Sequence, residues 1–401
     1  MFFFATLVSP IPLILNEIQV WEVPLYISFL IYLSILYKNK PRLNSLDKLI
    51  FYYFILSSIS VFSDFDTILD SMQMYRWTVI PPVIIYMMIR SQCENYIWNT
   101  TYFKIMLPGI LLYSVFFIQN TVSNNFSRGF IDTYGTMRVI SLAYVFSLGI
   151  AIVLYLIKRK LLVKILMLII LFIALIFTFT RAMIFGAILT SIFIYLISIR
   201  KKYRVNLYSK YIVIGVFSFF VLIINYSAFE SNMDKKELRE IQKSSNRLVN
   251  LDVFKEDIND RLRMWASFLD LQPDHTLLVG KGLSHTTIGF EKNLNQYYAS
   301  SHNFLISFFR RSGILGVLLV INIIITGLKY SFSSLKYSGK NDSHEKVILY
   351  NILILFFLGF TNDLFTGNRI SYLFLMLGFT SNSFMRIKDV KRNPLYNFRK
   401  K

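Results

Sequence analysis

The side chains of this sequence best placed to do chemistry are arginines and a histidine. Arg181 stands in Phe179-Thr180-Arg181-Ala182, where two apolar stretches meet with almost no loop between them. A guanidinium in such a place needs an anionic partner, and its planar fork suits phosphate or diphosphate. The competing reading is an arginine that snorkels to a membrane interface or caps a helix C-terminus. Arg261 and Arg263 open the stretch Arg261-Leu262-Arg263-Met264-Trp265. Two apart on a helix, they point to different sides, so only one of them faces a site; the alternative is a solvated basic face. His302, in Ser301-His302-Asn303-Phe304-Leu305, lies at the start of a new apolar segment. A neutral imidazole there can accept a proton from a sugar hydroxyl, or it is an ordinary residue at a helix N-terminus.

Metal chemistry finds little support. His275, His285 and His302 match no short zinc signature, and neither H-E-x-x-H nor a cysteine pair is present. Asp64-Phe65-Asp66 resembles the carboxylate pair of a metal-dependent transferase, but two acids at i,i+2 in a short loop are common by chance, and Asp363 is weaker still. No metal and no cofactor are expected. The single cysteine, Cys93, supplies no disulfide framework.

The elements that must position these residues are membrane helices. Hydrophobic residues make up 55% of the 401 positions and charged residues 16%, against roughly 25% charged in a soluble domain. Apolar runs predict twelve spans near 2–16, 20–37, 48–63, 77–90, 103–119, 138–157, 161–179, 182–199, 210–227, 313–329, 346–362 and 370–386. The first is short and carries Pro10 and Pro12, so eleven spans or a re-entrant start is the alternative. No basic stretch precedes it, so it reads as a retained segment rather than a cleaved signal. The fold class is therefore an all-α polytopic membrane protein, with residues 1–401 forming one membrane domain.

Charge sets the expected orientation. With the N-terminus cytoplasmic, the cytoplasmic loops hold 26 Lys and Arg against 5 acids, and the opposite face holds 17 basic and 18 acidic residues. The formal charge of +20 thus comes from one face, as the positive-inside rule and anionic lipid head groups require. Nucleic acid is not an implied partner; membrane lipids are. One large loop, residues 228–312, falls on the outer face. Its first half alternates acids and bases (Asp234, Lys235, Lys236, Glu237, Arg239, Glu240) and reads as scaffold. Its second half holds Arg261, Gly280, Gly282 and His302. Arg310 and Arg311 would be costly deep in lipid, so 303–311 is expected as an interfacial helix, with Ser301 as N-cap and Gly313 turning the chain into the next span.

Thr178-Phe179-Thr180-Arg181-Ala182, Arg261-Leu262-Arg263-Met264-Trp265 with Gly280 and Gly282, and Ser301-His302-Asn303-Phe304-Leu305 followed by Gly313-Ile314-Leu315-Gly316 resemble, in this order, the O-antigen polymerase and O-antigen ligase superfamily. Arg128-Gly129-Phe130 is similar to a weaker element of it. The resemblance implies a metal-independent glycan transferase of the bacterial inner membrane, with the large loop periplasmic and an undecaprenyl-diphosphate-linked oligosaccharide as donor. It implies that Arg181 and Arg261 hold the donor diphosphate and that His302 acts on the acceptor hydroxyl. Arg263, Asn303, Arg310, Arg311 and Arg128 are the further substrate-binding candidates, and a chain-length regulator is a candidate partner. Relatives often place an acid where Arg310-Arg311 stands. Polymerase is the favoured reading, ligase the alternative. A lipid-linked oligosaccharide flippase is the third, disfavoured because ionisable residues are nearly absent from mid-span positions.

Overall fold

The computed structural model describes residues 43–62, 68–92, 96–123, 139–158, 161–178, 180–200, 262–266, 277–280, 282–283, 289–291, 296–298, 303–337, 343–361 and 368–392. The expected spans at 2–16, 20–37 and 210–227 lie outside these residues. The helices are α1 (Ser45–Val61), α2 (Ile68–Thr78), α3 (Ile80–Gln92), α4 (Tyr96–Ser123), α5 (Val139–Tyr155), α6 (Leu161–Phe177), α7 (Arg181–Arg200), α8 (Phe304–Tyr337), α9 (Ser343–Thr361) and α10 (Asn368–Arg392). The all-α expectation needs one addition, a two-stranded antiparallel ribbon of β1 (Gly289–Glu291) and β2 (Gln296–Tyr298). A second addition is α2, in a stretch read from sequence as loop.

Local chemistry explains these elements. Asn44 and Asp47 cap α1 reciprocally: the Asp47 N–H donates to Asn44 Oδ1 at 3.0 Å, and the Asn44 N–H donates to Asp47 Oδ2 at 2.7 Å. Hydroxyls inside apolar helices donate to the carbonyl one turn back, as Ser60 does to Leu56, Ser114 to Ile110 and Thr121 to Phe117. These hydroxyls are then satisfied within their own helices. Many large apolar side chains point outward, among them Phe51 on α1, Ile105 and Leu112 on α4, Leu162 on α6, Leu189 on α7 and Ile325 on α8. An outward apolar face is a lipid-facing one. Thr101–Ser123 and Phe304–Tyr337 are long and apolar enough to cross a bilayer, with shorter apolar helices at Leu142–Tyr155, Leu161–Phe177, Met183–Ile197 and Ile370–Met385.

The chain divides into two compact units, Met1–Asn99 with Asp260–Lys401, and Thr100–Asn259. In the first, α10 packs most extensively on α3, and α8 packs on α1, α9 and α10. Tyr53 of α1 is buried there between Phe308 and Phe374, its ring centroid 6.0 and 5.2 Å from theirs. In the second, α5 packs on α6 and α7. Gly149 of α5 allows this approach, because a Cβ there would lie 2.8 Å from both Ile110 and Leu171.

Candidate functional site

The hinge before Arg181 is built by two threonines. Thr178 is fully buried and closes α6, its hydroxyl donating to the Leu175 carbonyl at 2.6 Å. The Thr180 N–H donates to Thr178 Oγ1 at 3.4 Å, and the Thr180 hydroxyl donates to the Thr178 carbonyl at 3.1 Å. The Thr180 carbonyl then accepts from the N–H groups of Met183 and Ile184, at 3.0 and 3.2 Å. Thr180 is thus the N-cap and Arg181 the first residue of α7. Arg181 therefore opens a helix a few residues after the preceding one ends. The helix dipole at such an end favours an anion.

In the other unit, residues 262–266 form a short helical stretch. Met264 is buried, Trp265 half-buried, and Leu262 and Arg263 exposed. The expected cap was Ser301, but Asn303 is the N-cap of α8: its side-chain oxygen accepts from the N–H groups of Leu305 and Ile306, at 2.9 and 3.4 Å. Its carbonyl accepts from the Ser307 N–H at 3.0 Å. A shorter side chain two residues earlier cannot do this, because capping requires the residue at the helix boundary. Arg310 and Arg311 are buried at 4% and 8% exposure, on the same helix as Asn303. Phe304, Ser307, Phe308 and Ser312 are buried with them.

α8 breaks at Gly313, whose φ of 63° and ψ of −166° lie in a region essentially reserved for glycine. The break receives a turn from the 228–312 loop. The Gly282 N–H donates to the Arg311 carbonyl at 3.1 Å, and the Ile314 N–H to the Leu277 carbonyl at 2.9 Å. A Cβ on Gly280 would lie 2.3 Å from the Arg311 carbonyl carbon, and one on Gly313 would lie 2.2 Å from the Leu278 oxygen. Gly280 also has a positive φ of 76°. The two backbones therefore touch where neither can carry a side chain.

His302, Arg261 and Arg128 lie outside the described residues. The structure brings Asn303, Arg310 and Arg311 onto one helical segment, with Arg263 in the same unit; Arg181 belongs to the other unit. Among the described residues no three His, Cys, Asp or Glu side chains converge. Asp64, Asp66, His275 and His285 are also outside them.

Sequence reasoning missed a buried polar cluster in the first unit. Asp47 Oδ1 accepts from the Tyr86 hydroxyl at 2.5 Å and from Arg90 Nε at 3.2 Å. Arg90 Nη1 donates to Asn382 Oδ1 at 3.1 Å, and Asn44 Nδ2 donates to Ser381 Oγ at 2.6 Å. Beside it His344 Nδ1 lies 2.7 Å from Glu345 Oε2, and its Nε2 lies 3.3 Å from Ser383 Oγ. The only signal in the sequence was the coincidence of Asp47, Arg90 and Glu345 with helix ends predicted to share a face.

Residues 165–321 match the family described as O-antigen ligase. This segment belongs to the O-antigen polymerase and ligase superfamily. The superfamily segment brackets Arg181, Arg261, Arg263, His302, Asn303, Arg310 and Arg311, and Arg128 precedes it. The family implies an enzyme of the glycosyltransferase type in general, and the match together with the apolar helices points to a membrane protein. No curated protein matches the chain.

Proposed function

We propose that the chain is an O-antigen polymerase of the bacterial inner membrane. It joins undecaprenyl-diphosphate-linked oligosaccharide repeats at the periplasmic face, within a membrane domain of twelve spans whose 228–312 loop is periplasmic. The observation that carries this reading is the superfamily match, which encloses the arginine and histidine motifs in order. The charge asymmetry between alternate loops supports the orientation.

A glycosyl diphosphate is already activated. The enzyme has to stabilise charge developing on the leaving diphosphate and orient a hydroxyl. Arg181 and Arg261 are assigned to the diphosphate. His302 takes the proton of the acceptor hydroxyl as its oxygen bonds to the anomeric carbon and the carbon–diphosphate bond breaks, releasing undecaprenyl diphosphate with the bonding electrons. Arg310 and Arg311 are assigned to the acceptor, which in a polymerase carries a lipid diphosphate of its own. The ligase reading, transfer to lipid A-core, is kept because the matching family is described by that activity.

The test uses the purified full chain in lipid nanodiscs with a lipid-linked repeat as both donor and acceptor. His302→Ala is expected to lower turnover by about 10²- to 10⁴-fold, the range of a lost general base. Arg181→Ala or Arg261→Ala is expected to cost about 10²- to 10³-fold, as for one lost transition-state donor. Near-normal turnover by His302→Ala would remove the base assignment. Deleting the gene separates the two acceptors: a lipopolysaccharide capped with a single repeat means polymerase, and an uncapped core with polymer accumulating on the carrier lipid means ligase.

A further inference from the structure

Arg310 and Arg311 stand side by side on the first segment of α8, both buried. Consecutive residues of a helix point about 100° apart, so the two guanidiniums leave the segment in different directions. The neighbours of Arg311 show which way it goes. Phe308, three residues back and on the same face, stacks on Tyr53 of α1 with ring centroids 6.0 Å apart. Ser312, next in the chain, places its Oγ 3.4 Å from Ser60 Oγ of α1. Arg311 itself interacts electrostatically with the Tyr53 hydroxyl. It therefore lies on the side of the segment that meets α1.

What α1 presents there is a row of hydroxyls. Tyr53, Ser57 and Ser60 follow at i, i+4 and i+7, one face of a helix, and all three are buried. The row is about 10 Å long at about 1.5 Å per residue. One end of it is tied to the proline pair that opens α3. Pro82 has no N–H for the Thr78 carbonyl four residues back, and the Tyr53 hydroxyl donates to that carbonyl instead, at 3.3 Å. With its proton so committed, the Tyr53 oxygen can accept from Arg311. Ser57 lies beside the Tyr53 hydroxyl. A guanidinium fork with a hydroxyl next to it is a donor set shaped for phosphate oxygens. Ile59 and Phe62 of α1 and Ile314 and Leu315 of α8, which flank the Ser60–Ser312 contact in sequence, are exposed and offer an apolar surface to a lipid tail.

We infer that α1, which lies outside the matched segment 165–321, completes a site for the diphosphate of a polyprenyl-linked glycan: Arg311 and the Ser57 hydroxyl bind its oxygens, and Tyr53 is the positioning residue that holds Arg311. This rests on the assignment of Arg311 to the acceptor and adds the helix that works with it.

The test uses the purified full chain in nanodiscs of neutral lipid and a photoactivatable polyprenyl diphosphate. The concentration giving half-maximal crosslinking of peptides covering 45–62 and 304–316 reads this site separately from the one assigned to Arg181 and Arg261. Unlabelled polyprenyl diphosphate is expected to compete at least about tenfold better than the matching polyprenol or inorganic diphosphate. Arg311→Ala is expected to weaken binding about 10- to 100-fold, as for lost hydrogen bonds to a charged group, and Ser57→Ala about three- to tenfold. Arg311→Lys, which keeps the charge and loses the fork, is expected to lose about tenfold. Tyr53→Phe is expected to weaken binding in the wild-type background and to add nothing in Arg311→Ala, a coupling that a merely structural tyrosine would not show. Unchanged affinity in Arg311→Ala beside a lowered melting temperature would mean that the arginine serves the fold, and overturns the inference. If Arg311→Ala does not fold, unchanged affinity in both Arg311→Lys and Ser57→Ala overturns it equally. Polyprenol or inorganic diphosphate competing as well as the lipid diphosphate removes the ligand assigned. Turnover of the lipid-linked repeat, measured alongside, separates the two ideas: a chain that binds through Arg311 and transfers nothing defeats the polymerase reading and leaves the site, whereas full turnover with unchanged binding in Arg311→Ala defeats the site alone.

Discussion

The two ends of the first unit are held together by opposite means. Where α1 begins and α3 ends, the joints are side chains: Asn44, Asp47, Tyr86, Arg90, Ser381 and Asn382 form a hydrogen-bonded cluster around one carboxylate. Where α8 breaks at Gly313, the joint to the 277–283 turn is backbone on backbone, and its defining residues are glycines. A side-chain network selects which helices are neighbours, because its donors and acceptors are satisfied in one arrangement only. A backbone contact adds less to that choice but sets position more sharply. The first kind of joint suits the assembly of a bundle, and the second suits the end where the superfamily motifs lie. Disturbing the polar end should therefore cost stability and spare turnover, and disturbing the glycine end should cost both.

The largest stability effect is expected at Asp47→Ala, which removes the carboxylate partner of Arg90, the side chains being 13% exposed for Arg90 and 8% for Asp47 in the intact pair. A loss of about 3 kcal/mol should appear in thermal unfolding in detergent micelles, with turnover per folded molecule unchanged. The Asp47→Ala, Arg90→Ala double variant should lose less than the sum of the single ones. Additive losses would mean that the pair does not couple the helices. Gly313→Ala comes next, at about 1–3 kcal/mol for a strained backbone, yet here turnover should collapse. Asn303→Ala should cost about 1 kcal/mol of stability through the lost cap, and Asn303→Ser should recover most of it. A circular-dichroism melt that fails to rank the two would argue against the cap. The smallest effect is expected at Ser383→Ala, about 0.5–1.5 kcal/mol or less for one buried hydrogen bond to His344, read by the same melt. If this variant abolished turnover, the contrast between the ends would fail.

The apolar helices were legible because bilayer-length runs carry their own signal: the expected spans at 48–63, 103–119, 138–157 and 346–362 each lie on a described helix, α1, α4, α5 and α9. The break at Gly313 was legible because two arginines and a glycine interrupt an apolar run. α2 was not, since its sequence ILDSMQMYRWT mixes polar and apolar residues and reads as loop. The cap passed from Ser301 to Asn303 because boundary residues of similar propensity cannot be ranked by type alone. The burial of Arg310 and Arg311 was hidden for another reason. Whether an arginine meets lipid surface or protein depends on the α1 and α9 packing, which leaves no periodic trace in its own segment. The Asn44 contact with Ser381 joins residues 337 positions apart, a distance over which no local pattern operates. For the candidate site, the motifs were visible as residue types in order, whereas the fit of Gly280 against Arg311 is a property of two chains in space.

Leu277 and Leu278 contribute carbonyls to the contact at the α8 break while their side chains stay exposed. The anchor is therefore indifferent to side-chain identity on the surface of the turn, and what it demands of the sequence is two glycines, Gly280 and Gly313.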